Sequence, residues 1–433
     1  MSETRNIVFL GASYAGISAA HYFLKHVYPH LPTSSTIKYK VILINASPKW
    51  YVRHASPRDI ASSELLPKEK ILLDIEPGFA QYGDKVQFLV GKATSWDPEK
   101  RVVYVSLPTE TSGSGKEVAV GYHALVLATG SKSASPIWSS YGNGHEEIEA
   151  ALADANAQIK RAKSIVIAGG GPAGVETAGE IAQHLNGTPG WFQKKPKNPK
   201  AQITLVTNSA KLLPNLRPAI AKQAERQLNR LGVGVKYNTK VLEATPTTDD
   251  DENNKTTAQT TKLTLSNSTE IYTDLYLPAL GSKPLTTYIP SHLLDPQTHL
   301  LLTTQSTLRV TPAAGPLVYS LGDITSFTSN SIVEILAQVP VLASNMKRDL
   351  LASHERGLGA KPSGKDRVYE PETRELQIVP VGRGGGVGAI YGWKLPSWAV
   401  WLIKARDYMV PSATERVFGR TEAKEVKWKG EGA

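Results

Sequence analysis

Short apolar runs alternate with amphipathic stretches along most of the chain. Residues 6–10 (NIVFL), 40–44, 165–167 and 202–206 have the composition of buried strands. Apolar residues at helical spacing follow the first and third of these runs directly, and the stretch 218–231 is also amphipathic. Strands that alternate with helices predict parallel sheets, so the expected fold class is α/β.

The stretch 164–181 (SIVIAGGGPAGVETAGEI) contains a G-x-G-x-x-G motif formed by Gly169, Gly171 and Gly174. In such a motif the first glycine permits a tight turn, the second lets the backbone approach a pyrophosphate, and the third lets helix and strand pack closely. The following helix presents N–H groups and a partial positive charge to the phosphates. The motif follows a strand, opens a helix and has a second copy upstream, which together predict a dinucleotide site.

The upstream copy runs from Gly11 to Gly16, and Ser13 replaces its second glycine. Serine is small enough for close phosphate approach, and its hydroxyl can donate a hydrogen bond to a phosphate oxygen. An acidic residue is expected at the end of the next strand, where it would hold a ribose hydroxyl. Asn45 stands at this position as a neutral hydrogen-bonding substitute.

Other candidate site residues follow predicted strands. The tripeptide Ala128-Thr129-Gly130 ends an apolar strand and is typical of the passage from one nucleotide domain to the next. Asp323, in VYSLGD, could bind a flavin ribityl hydroxyl or simply cap the next helix. Arg58 lies in a turn-rich segment, where it could face a cofactor phosphate or a flavin ring, or form an ordinary surface ion pair.

Two acidic residues lie four positions apart in the helix that follows the second glycine motif. Glu176 and Glu180 therefore share one helical face. Glu176 is in the first turn, beside the predicted phosphate site, and is the candidate catalytic residue. The alternative is that an acid near the helix N-terminus only complements the helix dipole.

Composition limits the possible chemistry. The 433 residues include no cysteine, which excludes a disulfide relay, a thiolate nucleophile and any cysteine-ligated metal. No metal site is expected. A net charge of +10 indicates an anionic partner or a solvated basic surface. The polar start MSETRN predicts no signal peptide, and no apolar run reaches the ~20 residues of a membrane span.

The tail beyond about residue 355 carries tryptophans beside basic residues. Trp398, Trp401, Leu402 and Ala405 fall on one helical stripe, flanked by lysine and arginine. Such a stripe suits a membrane interface or a cover over an apolar substrate. It suits equally well a helix packed on the first domain or on a second copy of the chain.

These motifs resemble those of the two-dinucleotide-fold flavoproteins, and among them the group related to apoptosis-inducing factor and the ferroptosis suppressor. The resemblance covers nearly the whole chain. The residues that carry it are Gly11 to Gly16, Arg58 in ASPRDIA, Ala93 in GKATSWD, Ala128 to Gly130, GGGPAGVETAGEI with Glu176, Gly322-Asp323 and Lys404 to Tyr408.

The resemblance implies FAD in the first domain, NAD(P)H in the second and a quinone-like acceptor. The expected order is a flavin domain in two parts (1–135 and 276–355) around a nicotinamide domain (136–275), followed by a C-terminal α+β segment (356–433). The residues expected to bind cofactor are Gly11, Ser13, Gly16, Arg58, Ala93, Thr129, Gly130, Gly169, Gly171, Gly174 and Asp323. Thr207, Asn208 and Ser209 include no acid that would select NADH, and Lys211 favours NADPH without deciding it.

The sequence is compatible with three functions. The first is an NAD(P)H oxidoreductase that passes electrons from flavin to a quinone or another small aromatic acceptor. The second is a tailoring oxidoreductase of a specialised-metabolite pathway. The third is a pro-death flavoprotein that binds nucleic acid, which is disfavoured because the basic runs lack interleaved aromatic residues. The expected location is cytoplasmic, with peripheral membrane contact through the tail as the alternative. A second copy of the chain, in a homodimer, is a further candidate partner.

Overall fold

The computed structural model describes residues 3–108, 115–138, 144–190, 192–248 and 259–428. Two parallel sheets organise this part of the chain, and smaller antiparallel sheets cover one face of each. The predicted α/β class with two dinucleotide-binding folds is confirmed. No helix among the described residues is long and apolar enough to cross a membrane.

The first sheet has five parallel strands, which lie in the order Val318–Ser320, Ala124–Leu127, Glu3–Leu10, Ile37–Asn45 and Val86–Val90. Successive side chains of a strand point to opposite faces of the sheet. Phe9 and Leu43 face the helices Tyr14–His26 and Ile332–Arg356, whereas Leu10 and Ile44 face an antiparallel sheet. The strands of that sheet are Lys92–Asp97, Val102–Ser106 and Glu117–Gly121.

The second sheet has four parallel strands in the order Val233–Lys236, Gln202–Val206, Ser164–Ala168 and Leu275–Pro278. The helices Pro172–Asn186 and Pro218–Arg230 pack on one face. The antiparallel strands Val241–Thr248, Gln259–Leu265 and Glu270–Thr273 pack on the other. Helix His145–Arg161 precedes the sheet.

The last strand of the second sheet lies beyond the predicted end of the nicotinamide domain at residue 275. Leu275–Pro278 lies parallel to Ser164–Ala168, with Leu275 opposite Ile165. The chain therefore leaves this sheet after Pro278, later than the boundary expected at residue 275. A short apolar run fits a strand of either sheet, so only its pairing identifies the sheet.

The C-terminal part of the chain contacts both sheets' helices. An antiparallel sheet of Gln377–Pro380, Gly386–Ile390 and Trp393–Lys394 is followed by helix Ser397–Val400, the π-helix Trp401–Ala405 and helix Val410–Val417. The tail then returns to helix Tyr14–His26, where His21 Nε2 bonds the Val417 carbonyl oxygen at 2.8 Å. The remaining short strands and α-helices of the described residues are Lys49–Tyr51, Ser56–Ala61, Leu72–Asp74, Glu76–Phe79, Ser131–Lys132 and Lys283–Pro284.

A buried carboxyl group lies in the short helix Ser56–Ala61. Asp59 is 1% exposed, and neither of its carboxylate oxygens has a hydrogen-bond partner within the described residues. Burial raises the pKa of Asp59 to about 7, and the charge of Glu69 raises it further. The folded protein therefore favours the neutral acid, whereas the unfolded chain ionises at the ordinary aspartate pKa.

We expect Asp59→Asn to stabilise the protein increasingly as the pH rises. The wild type should lose stability between the unfolded pKa near 3.8 and the folded pKa near 7, because only the unfolded state releases the proton there. The advantage of the variant should grow by about 2–3 kcal/mol between pH 5 and pH 8. Denaturant unfolding at several pH values measures it. Asp84→Asn, at an exposed position, is the control, and equal curves for Asp59→Asn and wild type at pH 8 would contradict the expectation.

Candidate active site

The first glycine motif forms a tight junction between strand Glu3–Leu10 and helix Tyr14–His26. Gly11 has φ +104°, and a Cβ atom on it would lie 2.4 Å from the Ala128 carbonyl oxygen. A Cβ on Gly16 would lie 1.7 Å from the Gly11 carbonyl oxygen. Ser13 is the N-cap residue of the helix, and its side chain forms no capping hydrogen bond. The N–H groups of the first turn have no partner within the helix and are directed toward the glycine loop. This cradle fits the pyrophosphate of a dinucleotide.

Asn45 supports the same loop. Its amide oxygen accepts a hydrogen bond from the Ala12 N–H at 2.9 Å, and its amide nitrogen donates to the Ser47 carbonyl oxygen at 2.8 Å. The side chain is buried. Asn45 therefore fixes the glycine loop against the end of the neighbouring strand, a role that an ionised acid could fill only in part because it lacks the N–H donor.

Asp323 lies at the carboxyl end of the first sheet with two polar neighbours. Its Oδ2 accepts from the Ser131 hydroxyl at 2.8 Å and from the Arg53 guanidinium at 3.4 Å. The preceding Gly322 has φ +80° and donates its N–H to Gln338. Ser131 directly follows the Ala128-Thr129-Gly130 motif, which is the sequence signal that could have found it.

Thr129, Gly130 and Ala93 border this region on other sides. The Thr129 hydroxyl donates to the Leu285 carbonyl oxygen at 2.9 Å, and the Leu285 N–H donates to the Gly130 carbonyl oxygen at 2.9 Å. Gly130 has φ +71°. Ala93 pairs with Val105 in the antiparallel sheet behind the first sheet. The roles of these residues in cofactor binding remain predictions.

The second glycine motif repeats the geometry of the first. Gly169 has φ +129°, and a Cβ on Gly174 would lie 1.9 Å from the Gly169 carbonyl oxygen. A Cβ on Gly171 would meet nothing within 4 Å among the described residues. Open space beside the second glycine is what close approach of a pyrophosphate requires.

A buried charge cluster joins the two domains and the tail. It consists of Arg58, Glu176, Glu180, Lys404 and Tyr408. Arg58 Nη2 lies 2.8 Å from Glu180 Oε1, and Lys404 Nζ lies 2.6 Å from Glu176 Oε1. The Tyr408 hydroxyl donates to Glu180 Oε1 at 3.2 Å. Glu176 and Glu180 are 2% and 0% exposed, so both acids depend on these partners.

The guanidinium N–H groups of Arg58 form hydrogen bonds with other residues of the protein. Besides Glu180, it donates to the carbonyl oxygens of Ala405 and Arg406 at 2.6 and 2.8 Å. Its guanidinium also lies 4.7 Å from the centre of the Tyr408 ring. The ion pair is buried, unlike the surface pair that the sequence offered as an alternative. Arg58 therefore ties the tail to both domains, and its predicted contact with cofactor remains a prediction.

Burial shifts the titration of the groups around this cluster. Burial raises the pKa of Glu176 to about 7, against the opposing effect of the Lys404 ammonium. Burial lowers the pKa of His54 to about 3, and the charge of Lys404 lowers it further. His54 Nδ1 and the Tyr14 hydroxyl are hydrogen-bonded at 2.9 Å. The cluster thus contains one acid, Glu176, whose pKa lies near neutral pH. The imidazole of His54, beside the cluster, stays neutral at that pH.

The pairing of Lys404 and Tyr408 with the two glutamates was not foreseen from the sequence. Lys404 and Tyr408 are four residues apart, as are Glu176 and Glu180. Matched spacing was the available signal, but only Glu176 and Glu180 share a face of one helix, because the chain has left the helical conformation at Tyr408, which has φ +52°. The partners are 228 residues apart along the chain, so spacing by itself could not show that they meet.

The tryptophan stripe in the tail is exposed. Trp398, Trp401 and Leu402 are 68%, 41% and 49% exposed, whereas Ala405 is buried. The three large side chains therefore leave much of their apolar surface uncovered by the described residues. A membrane surface, a substrate and a second copy of the chain remain predictions for this stripe.

Comparison with known proteins identifies the family. The model of the pyridine nucleotide-disulphide oxidoreductase family matches residues 5–346. The chain belongs to this family. It is 42% identical to oxidoreductase phnG of Penicillium herquei over 408 residues, which cover 94% of each chain. It is 24% identical to ferroptosis suppressor protein 1 of Xenopus tropicalis over 428 residues, covering 97% of this chain and 98% of the relative.

A solved structure has a similar fold. The sulfide:quinone oxidoreductase of Aquifex aeolicus aligns with a TM-score of 0.67 and 15% identity, over 96% of this chain and 92% of that one. The resemblance to the group of apoptosis-inducing factor and ferroptosis suppressor is confirmed. The protein is an FAD-dependent NAD(P)H oxidoreductase, with FAD and NAD(P)H as cofactors. The two glycine cradles described above fit these two dinucleotides.

Proposed function

We propose that this oxidoreductase passes electrons from NAD(P)H through FAD to a quinone or a similar small aromatic acceptor. The observation that carries the proposal is the absence of cysteine from all 433 residues. A family named for disulphide chemistry is represented here by a chain that cannot form a redox-active disulfide. Electrons must therefore leave the flavin without a disulfide relay, which suits direct reduction of a small acceptor. The name of the similar Aquifex aeolicus structure includes a quinone, which agrees with this class of acceptor.

The chain's own residues have distinct tasks in this proposal. Bound FAD supplies hydride acceptance and electron donation, which no side chain can provide. The first glycine motif and Asp323 hold the dinucleotide in the first domain, while the motif Gly169–Gly174 holds the nicotinamide coenzyme. Positioning and electrostatics are thus the contribution of the protein.

Reduction of a quinone consumes protons as well as electrons, so the site needs a proton-holding group. Glu176 meets this need because its pKa near 7 lets it exchange a proton at neutral pH. Lys404 Nζ, 2.6 Å from Glu176 Oε1, holds the carboxyl group in place. Glu176 follows Gly174 by two residues and is the fifth residue of helix Pro172–Asn186, one turn beyond the glycine cradle and not in the first turn that the sequence predicted. We assign Glu176 as the acid–base residue and Lys404 as its positioning partner.

We expect Glu176→Gln to slow acceptor reduction about 100-fold at pH 6, because glutamine keeps the shape but holds no exchangeable acid proton. The wild-type rate should fall as the pH rises through about 7, where Glu176 loses its proton. The variant should show no change in rate around that pH. Anaerobic stopped-flow spectroscopy with a ubiquinone analogue measures both quantities.

Lys394→Met is the matched control for this experiment. Lys394 is an exposed lysine of the same C-terminal segment, and its loss should leave the pH profile unchanged. Lys404→Met should lower the rate and displace the pH profile upward, because Glu176 then loses the charge that opposes its burial. A wild-type pH profile in Glu176→Gln would exclude Glu176 as the acid–base residue.

The acceptor class is tested by following the flavin absorbance of the purified holoenzyme. Bleaching by NADH or NADPH, followed by recovery on addition of a ubiquinone analogue, is the expected result. Bleaching without quinone-driven recovery would contradict a quinone as the electron acceptor. It would favour another aromatic acceptor, as in a tailoring oxidoreductase. A flavin that neither coenzyme bleaches would contradict the hydride mechanism itself.

A further inference from the structure

The end of the C-terminal segment runs along helix Tyr14–His26, whose first turn adjoins the glycine loop of the first domain. We call residues 410–426 the C-terminal strap. One face of the helix packs on the first sheet, where the rings of Phe23 and Phe9 have centres 5.7 Å apart. Each polar side chain of the helix contacts the strap instead. These side chains are Tyr14, Ser18, His21, Tyr22, Lys25 and His26.

Arg416 joins the strap to the first half of this helix. Its Nη1 donates to the Ser18 hydroxyl at 2.8 Å and also to the Glu422 carboxylate. Its guanidinium lies 5.7 Å from the centre of the Tyr14 ring, at the first residue of the helix. Arg416 and Glu422 are each 6% exposed. Because a buried ion pair depends on both partners, this contact fixes the strap and the helix in one arrangement.

Backbone groups of the strap hold the second half of the helix. The Lys25 ammonium donates to the Gly419 carbonyl oxygen, and the Val426 N–H donates to the Tyr22 hydroxyl at 2.9 Å. Gly419 has φ +67°, and a Cβ on it would lie 2.5 Å from His21 Nδ1. The strap backbone therefore lies directly on the helix.

The strap is also attached to the segment that precedes strand Val86–Val90. Gln81 Nε2 donates to the Phe418 carbonyl oxygen at 2.9 Å. A Cβ on Gly78 would lie 2.0 Å from the Val417 carbonyl oxygen, so the two backbones are in close contact. The strap thus links the helix to a second part of the first domain and can hold the helix in position.

The position of this helix determines the position of the flavin cradle. A Cβ on Gly16, in the first turn, would lie 1.7 Å from the Gly11 carbonyl oxygen, so the helix and the glycine loop move together. A dinucleotide at a helix N-terminus is held by the N–H groups of that helix. Release of FAD therefore requires movement of groups that the strap restrains.

We propose that the C-terminal strap retains FAD on the folded protein, and that Arg416 is its positioning residue. Arg416 acts through Ser18 and Tyr14 of the helix, not through contact with the cofactor. The proposal concerns how long FAD stays bound, so it does not depend on which acceptor takes the electrons.

The test is the rate of FAD release from the purified holoenzyme, followed by the rise in flavin fluorescence after dilution. We expect Arg416→Met to raise this rate at least about tenfold, since affinity differences between related complexes arise mostly in dissociation. Arg416→Lys keeps a cation beside Glu422 and should restore most of the retention. Tryptophan fluorescence of the same sample reports unfolding, and FAD should leave Arg416→Met well before that signal changes. Release that occurs only together with unfolding would overturn the proposal.

Arg420→Met is the matched control, because Arg420 belongs to the same strap but is 64% exposed in a surface pair with Glu415 at 2.7 Å. It should leave FAD release unchanged, and an equal acceleration in both arginine variants would overturn the role of Arg416. Lys25→Met is a milder second variant that removes the bond to the Gly419 carbonyl oxygen. It should speed release about threefold, as expected for the loss of one hydrogen bond. A wild-type release rate in folded Lys25→Met would contradict retention by the strap.

Discussion

Replacing Gly171 by alanine is expected to weaken NAD(P)H binding about 100-fold and to leave the fold unchanged. Gly171 has φ −78°, which alanine adopts without strain, and an added Cβ would meet nothing within 4 Å among the described residues. The methyl group would instead occupy the space that the pyrophosphate needs. Titration of the holoenzyme with NADPH and NADH measures the dissociation constants.

Gly171→Ala also shows whether weaker coenzyme binding comes from lost contact with the pyrophosphate or from a destabilised fold. Its FAD content should match the wild type, because the first glycine motif is untouched. Its unfolding free energy should fall by about 1 kcal/mol or less, since alanine is a poorer N-cap residue than glycine. Gly121→Ala is the control, because a Cβ there also meets nothing within 4 Å in the described structure. Normal coenzyme affinity in Gly171→Ala would show that the pyrophosphate lies elsewhere.

Replacing Arg58 by methionine is expected to destabilise the protein by about 3–5 kcal/mol. Among the described residues, the substitution leaves the buried Glu180 carboxylate with the Tyr408 hydroxyl alone as a partner. It also removes the donors that bind the Ala405 and Arg406 carbonyl oxygens. Denaturant unfolding followed by tryptophan fluorescence measures the loss. The tail should also become more sensitive to proteolysis, because Arg58 is one of its attachments.

A double variant isolates the cost of the unpaired charge. Arg58→Met/Glu180→Leu removes the Glu180 carboxylate together with its cation, so most of the lost stability should return. Arg374→Met removes an exposed arginine paired with Glu372 and should change stability by about 0–1 kcal/mol. A single variant Arg58→Met as stable as the wild type would contradict a buried, interdomain role for this ion pair.

Local patterns predicted the elements that form the two cofactor cradles. Gly11 and Gly169 were identified in the turns that join a strand to a helix, and Gly16 and Gly174 in the first turns of the helices that follow, where a Cβ atom would collide with the backbone. The structure bears this out with carbonyl oxygens 1.7 to 2.4 Å from the position of an added Cβ. Family membership followed from the same short segments, and the family match confirmed it.

Other features depended on contacts between distant segments. Asn45 appeared to be a weakened ribose ligand, yet its amide fastens the glycine loop through Ala12. Arg58 was predicted from its position in a turn, but its partner Glu180 lies 122 residues away. The apolar run beginning at Leu275 had the composition of a strand in either sheet, and its pairing with Ser164–Ala168 decided between them.

The sequence by itself determined the α/β class, the two glycine cradles and a flavin chemistry that proceeds without cysteine. These conclusions depend on residues close together in the chain or on composition. Only the tertiary structure decided which glutamate pairs with Lys404 and which with Arg58, and it exposed Trp398 and Trp401 while burying Ala405. The physical reason is that burial and ion pairing are properties of packed surfaces, and those surfaces come from segments that sequence spacing cannot bring together.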